Sequence, residues 1–258
     1  MTVMTTIDAL AYIGESLYLK KPQTAEDLIR RMDKYGIDIS VTTTPPPAIG
    51  QNYANSNKIV YEATQKYPDR ILGFYRVNPW FKEEEIERAK TAIKDWNFKG
   101  FLLNPFHDSY GLIGFNLDKP EDPFNVNPLL CPVLDLATKL DVPVFIHTGD
   151  SSFCPPDAIP KIAKTYPMLT LMTELTAAIK CLDTKNVIFG TYPLRGGHEG
   201  IDMGLKLAST LIPDRVLFTT NCPFGYPEFE LRVIELTGIE SEARRKIMSD
   251  NAKIFLKI

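Results

Sequence analysis

Three histidines, four scattered cysteines and two tryptophans leave the 258-residue chain poor in the residue types that most often mark a site. The cysteines are Cys131, Cys154, Cys181 and Cys222, with no Cys-x-x-Cys pair among them. That spacing excludes a zinc knuckle and suggests no disulfide framework, so buried free thiols are expected. Charge of one sign is also missing: 29 Lys and Arg stand against 32 Asp and Glu, a net charge of −3. Such a chain has no basic field to attract nucleic acid or an anionic membrane. No apolar run approaches the roughly 18 residues that a bilayer-spanning helix needs. The first residues lack the basic-then-apolar order of a secretory signal. A soluble, cytoplasmic protein with neither nucleic acid nor membrane as partner is expected. No Pro/Gly/Ser-rich linker divides the chain, so residues 1–258 read as one domain.

Against this background Pro143 to Asp150, Pro-Val-Phe-Ile-His-Thr-Gly-Asp, stands out. Val144, Phe145 and Ile146 form a continuous apolar run of the kind found in parallel strands covered on both faces. In such sheets ligands gather at the carboxyl ends of the strands, where His147 falls. The competing reading is a core histidine satisfied by a backbone carbonyl.

The same rhythm recurs along the chain. Strands are expected at Thr5–Tyr12, Ile37–Thr44, Ile71–Val77, Gly100–Asn104, Pro143–His147, Leu169–Leu175, Asn186–Thr191 and Arg215–Thr220. Helices fall between them; the first is capped by Thr24 with Asp27 three residues on and closed by Gly36. The Glu/Lys/Arg-rich segment Glu83–Trp96 reads as a helix with a solvated face. A long polar and aromatic loop follows the fourth strand to Pro128, and loops of that length often cover a site. Eight strands alternating with helices at about 30-residue spacing predict an α/β protein, a closed (β/α)₈ TIM barrel.

With the strand ends aligned, the chain resembles the amidohydrolase superfamily, in its amidohydrolase 2 branch. Ile7-Asp8-Ala9, Lys66 to Arg70 with Gly73 to Pro79, and Pro143 to Gly149 carry the likeness, as do Tyr166-Pro167, Asp214 to Phe218, Cys222 to Gly225 and Asn251-Ala252. The resemblance implies a divalent metal held by a His-x-His on the first strand, histidines on the fifth and sixth, and an aspartate on the eighth. Here those positions fall on Leu10, Tyr12, His147, Leu175 and Asn221. A leucine cannot ligate a metal, a neutral amide is a poor ligand, and one imidazole does not hold zinc against water.

No metal and no cofactor are therefore expected. The leading expectation is a remodelled, metal-free pocket, natural or engineered, taking a small hydrophobic substrate. Its apolar walls would be Leu10, Phe101, Leu102 and Leu175, with Thr220 and Cys222 also against the substrate. His147 would act as general base or nucleophile, with Tyr12, Tyr192 and Asn221 orienting substrate or stabilising an oxyanion, in ester hydrolysis or lyase-type cleavage. Glu174 is a further candidate base, but strand alternation lets only one of Glu174 and Leu175 face inward, and the family comparison favours Leu175. Two alternatives stand beside this reading. One is a non-catalytic homologue that binds a small molecule. The other is a metal-dependent amidohydrolase or decarboxylase using His107, Asp108, Asp150, His198 or Glu199. The resemblance also admits a homodimer.

Overall fold

The computed structural model describes residues 5–115, 124–149, 152–195 and 200–258. Strand β1 (Ile7–Tyr12) leads to helix α1 (Ala25–Tyr35), then β2 (Ile39–Thr43), α2 (Ala54–Lys66), β3 (Ile71–Arg76), α3 (Lys82–Lys94) and β4 (Gly100–Leu103). The expected long loop carries a short helical turn, α4 (Pro105–Asp108), and an antiparallel hairpin of β5 (Ile113–Phe115) and β6 (Phe124–Val126). After α5 (Cys131–Leu140) come β7 (Val144–Ile146), α6 (Ile159–Thr165), β8 (Leu171–Glu174), β9 (Val187–Gly190), α7 (Met203–Leu211) and β10 (Val216–Leu217). Helices α8 (Pro227–Thr237), α9 (Ser241–Arg245) and α10 (Asn251–Leu256) close the chain.

Eight parallel strands form one sheet in the order β1-β2-β3-β4-β7-β8-β9-β10. The ends meet through Ala9 N–H to Phe218 O (2.8 Å), Asn221 N–H to Leu10 O (2.9 Å) and Tyr12 N–H to Cys222 O (2.8 Å). The expected (β/α)₈ barrel is therefore present. Local chemistry sets its elements as read: Thr24 and Asp27 form a reciprocal capping box on α1, and Gly36 ends that helix at φ 67°, a left-handed conformation glycine adopts without steric cost.

Two apolar layers follow from strand alternation. Val144, Ile146, Phe101 and Leu103 point outward and pack with the helices. Val41, Phe74, Leu102, Phe145, Met172 and Leu217 point inward, and Ala252, Phe255 and Leu256 of α10 join them. Gly100 is required at its position because a Cβ there would lie 2.6 Å from Pro143 O and 2.7 Å from the Phe74 ring. Phe145→Ala opens a void in the inner layer that its neighbours cannot fill, and should cost about 3–5 kcal/mol in urea unfolding.

Among the described residues, no helix is long and apolar enough to cross a membrane.

Candidate active site

A polar layer sits above the inner apolar one. Phe74 is followed two residues later by Arg76, Leu102 by Asn104, Phe145 by His147 and Met172 by Glu174. Because side chains repeat on a face every second residue, each step carries the chain from packed core to the carboxyl-end mouth. The four polar residues are thus delivered to one place by four different strands.

His147 is held at both ring nitrogens. Its Nδ1 lies 2.6 Å from Glu174 Oε1, and its Nε2 lies 2.5 Å from the Tyr12 hydroxyl. A carboxylate only accepts, so Nδ1–H donates to Glu174, which leaves Nε2 to accept from Tyr12. Tyr12 and His147 stand on the first and fifth strands of the ring, so this bond spans the barrel mouth. Glu174 Oε2 accepts from Thr148 N–H (2.7 Å), the Thr148 hydroxyl (2.8 Å) and the Thr173 hydroxyl (3.1 Å). Burial alone pushes the Glu174 carboxyl up, but the imidazole and these donors outweigh it and hold the group below its usual range. Burial pushes the Tyr12 phenol well above its ordinary value, so it remains a proton donor at neutral pH. The Phe145 ring supports the imidazole edge-on at 4.6 Å.

Beside this line opens a cavity of about 340 Å³, at the small end of the roughly 300–1,000 Å³ range of ligand pockets. Its walls include Tyr12, Tyr18, Arg76, Asn104, Phe106, His107, His147, Thr148, Asn221 and Phe224. The aromatic members contact one another: Phe224 meets Tyr12 edge-on at 5.4 Å, and Tyr18 lies 5.4 Å from His107.

Arg76 carries the positive charge of this cavity and is 0% exposed. Its guanidinium lies over the Tyr53 ring at 4.3 Å and donates from Nη1 to Thr44 O at 3.4 Å. Asp108 Oδ2 is 3.6 Å from Nη2, close enough to pair by charge and too far to accept a hydrogen bond. Asp108 is itself fixed by the Tyr53 hydroxyl, and burial pushes its carboxyl up. Arg76 Nε and Nη2, His107 Nδ1 and Asn221 Oδ1 are buried without hydrogen-bond partners. Burial pushes His107 down to about 4, so that ring is neutral at physiological pH.

Of the residues expected at the site, Tyr12, His147 and Asn221 line the cavity, and Glu174 joins them through His147. The remaining placements are corrected. Strand β8 ends at Glu174, and Leu175 begins a 3₁₀ turn and packs with the outer layer. The family comparison, which favours Leu175, is one residue out of phase with the strand. Phe101 also faces the helices. Leu10 and Leu102 face inward but belong to the packed layer below. Thr220 spends its hydroxyl on Asp8 Oδ2 (2.6 Å), and Cys222 Sγ turns to Gln23 Oε1 (3.6 Å). Tyr192 is half-buried against Gly225 and is not a wall of the cavity. The walls are accordingly not purely apolar, because a buried guanidinium is among them.

The sequence model of the amidohydrolase family matches residues 47–188, more than half of the chain. The chain belongs to the amidohydrolase family. No curated protein matches it in sequence. Among solved structures it resembles 5-carboxyvanillate decarboxylase from Novosphingobium aromaticivorans, complexed with manganese, at TM-score 0.76 and 16% identity over 99% of this chain and 97% of that one. It resembles 2,6-dihydroxybenzoate decarboxylase from Rhizobium at TM-score 0.73 and 18% identity, over 97% and 98% of the two chains. It also resembles 4-oxalomesaconate hydratase from Rhodopseudomonas palustris at TM-score 0.65 and 17% identity, over 98% and 96%. At these identities the likeness concerns the fold. None of these comparisons supports an engineered origin.

The residues present do not fit the family's metal. Leu10 offers no donor and lies away from the cavity, Asn221 is a neutral amide, both nitrogens of His147 are engaged, and the inward carboxylate Glu174 is spent on His147, Thr148 and Thr173. Among the described residues, no group of three or more His, Cys, Asp and Glu side chains could hold a metal ion. Of the alternative ligands, His107 lines the cavity and Asp108 faces Arg76. Asp150, His198 and Glu199 lie outside the described residues.

Proposed function

We propose that this protein is a metal-independent enzyme that binds a small planar carboxylic acid and transfers a proton to or from one of its carbon atoms, the proton-transfer step of a lyase-type reaction. The observation that carries the reading is Arg76: a fully buried guanidinium in the cavity wall, paired by charge with Asp108 at 3.6 Å, whose Nε and Nη2 lack hydrogen-bond partners. Burying a charge without complete pairing is costly, and a planar carboxylate supplies two acceptors matched to the guanidinium fork. The rings of Tyr12, Phe224, Tyr18 and His107 suit the flat faces of a conjugated or aromatic acid. This replaces the hydrophobic substrate expected from the sequence with an anionic one.

Tyr12, His147 and Glu174 then form a proton relay. Tyr12 delivers its hydroxyl proton to the substrate carbon, a doubly protonated imidazole of His147 gives its Nε2 proton to the phenolate oxygen while Nδ1–H stays on Glu174, and a solvent proton restores Nε2–H. The reverse sequence removes a proton. An ion pair to Arg76 stabilises the carboxylate it holds, so that group serves as the anchor and the reacting carbon lies nearer Tyr12. Decarboxylases and a hydratase among the structural neighbours agree with lyase chemistry in this fold.

Calorimetric titration with benzoate and cinnamate, each beside its amide, tests the reading. The acids should bind about 100-fold tighter, corresponding to the ~3 kcal/mol that a strong hydrogen bond to a charged group contributes. Equal binding of acid and amide would sink it.

A further inference from the structure

The anchor is one end of the ligand, and the cavity also describes the other. Asn221 stands just past β10, where its backbone is fully committed. Its N–H donates to Leu10 O (2.9 Å), and its carbonyl accepts from Phe224 N–H (2.9 Å) and Gly225 N–H (3.2 Å). The residue sits at φ 54°, a left-handed conformation that asparagine tolerates better than most residues. This arrangement fixes the side chain in the cavity wall, with Oδ1 buried and unpartnered.

An orphaned buried carbonyl oxygen is costly, and a ligand donor recovers that cost. The Tyr12 hydroxyl in the same wall cannot act as that donor without leaving His147, since it is bonded to Nε2. His107 Nδ1 is a second buried polar atom of the cavity wall without a hydrogen-bond partner. Around the ring, Asn221 follows the eighth strand and Arg76 ends the third, with Tyr12 on the first strand between them. Neighbouring strands lie about 4.8 Å apart, so the two side chains reach into a small cavity from well-separated points.

We infer that Asn221 is a specificity-determining residue, accepting a hydrogen bond from an O–H or N–H that the substrate carries at the end remote from its carboxylate. The inference rests on the carboxylate reading for its orientation. The substrate class becomes a planar acid with a distal hydroxyl or amino group. A ligand with only an acceptor there leaves two acceptors facing each other, and discrimination of this kind is steep because the site's polar atom is then unpaired.

The test compares 4-hydroxybenzoate with 4-methoxybenzoate by calorimetry, on the wild type and on Asn221→Gly. Glycine suits the left-handed backbone, so the variant removes the amide without straining the turn. Asn221→Asp, which keeps an acceptor, is the second variant. The wild type should prefer the hydroxyl at least ten-fold, Asn221→Gly should bring the ratio close to one, and Asn221→Asp should retain the preference. A ratio near one in the wild type, or an undiminished preference in Asn221→Gly, overturns the inference. Failure of the carboxylate reading shows separately, as benzamide binding equal to benzoate. In that event 4-hydroxybenzamide and 4-methoxybenzamide decide the role of Asn221 by the same ratio.

Discussion

Arg76→Met should abolish carboxylate binding, with affinity for benzoate or cinnamate falling at least 100-fold while the amides lose little. Methionine fills most of the volume along the stem and removes the charge and every donor. The loss at the binding site follows from two guanidinium nitrogens that make no hydrogen bond within the protein. The same substitution disturbs stability, because Asp108 then stays buried without its cation. Removing one partner of a buried pair costs about 3–5 kcal/mol. Burial already pushes Asp108 up, and without Arg76 its protonated form is favoured further. The group's folded pKa then exceeds its unfolded one, so the deficit is largest at neutral pH and shrinks on acidification through the folded value. The double variant Arg76→Met, Asp108→Asn separates the two effects. Its urea midpoint should recover toward wild type while its carboxylate affinity stays lost. Recovery of affinity as well would show that Arg76 acts through Asp108 and not on the ligand.

The barrel was legible in the sequence because its signals are local. Thr24, Asp27 and Gly36 bound a helix by capping chemistry alone, and runs such as Val144-Phe145-Ile146 mark strands buried on both faces. The cavity was less legible because it depends on phase. The rule that set His147 above Phe145 also sets Arg76 above Phe74 and Asn104 above Leu102. Applied to every strand at once, it would have found the buried cation that motif comparison passed over. It also puts Glu174 inward above Met172, where the family comparison favours Leu175. Nothing in strand periodicity could place Tyr18, His107 or Phe224, since each follows a strand by way of a turn. Their approach to the cavity is set by tertiary packing.

Tyr12→Phe should leave the cavity closed and remove its chemistry. Phenylalanine keeps the edge contact with Phe224 and deletes only the hydroxyl that links the pocket to Nε2 of His147. In heavy water, deuterium incorporation into the bound acid, followed by NMR, should fall about 10²- to 10⁴-fold, the range ascribed to a positioned acid or base. Carboxylate affinity should fall far less, since Arg76 supplies it. Glu174→Gln tests the far end of the line: it keeps the shape, removes the carboxylate that accepts from Nδ1–H, and should lower exchange comparably. The double variant should be little worse than either single one, because residues that act as a unit lose their function once. The pH dependence carries the same signature. Glu174 is held below its usual range in the folded chain, so its stabilisation is present above the ordinary carboxylate value near 4.5 and is lost as pH falls through the depressed folded one. Exchange and stability should therefore decline together in acid in the wild type. In Glu174→Gln the acid decline of stability should flatten. An exchange rate in Tyr12→Phe equal to that of the wild type would remove Tyr12 from the reaction and leave His147 to meet the substrate directly.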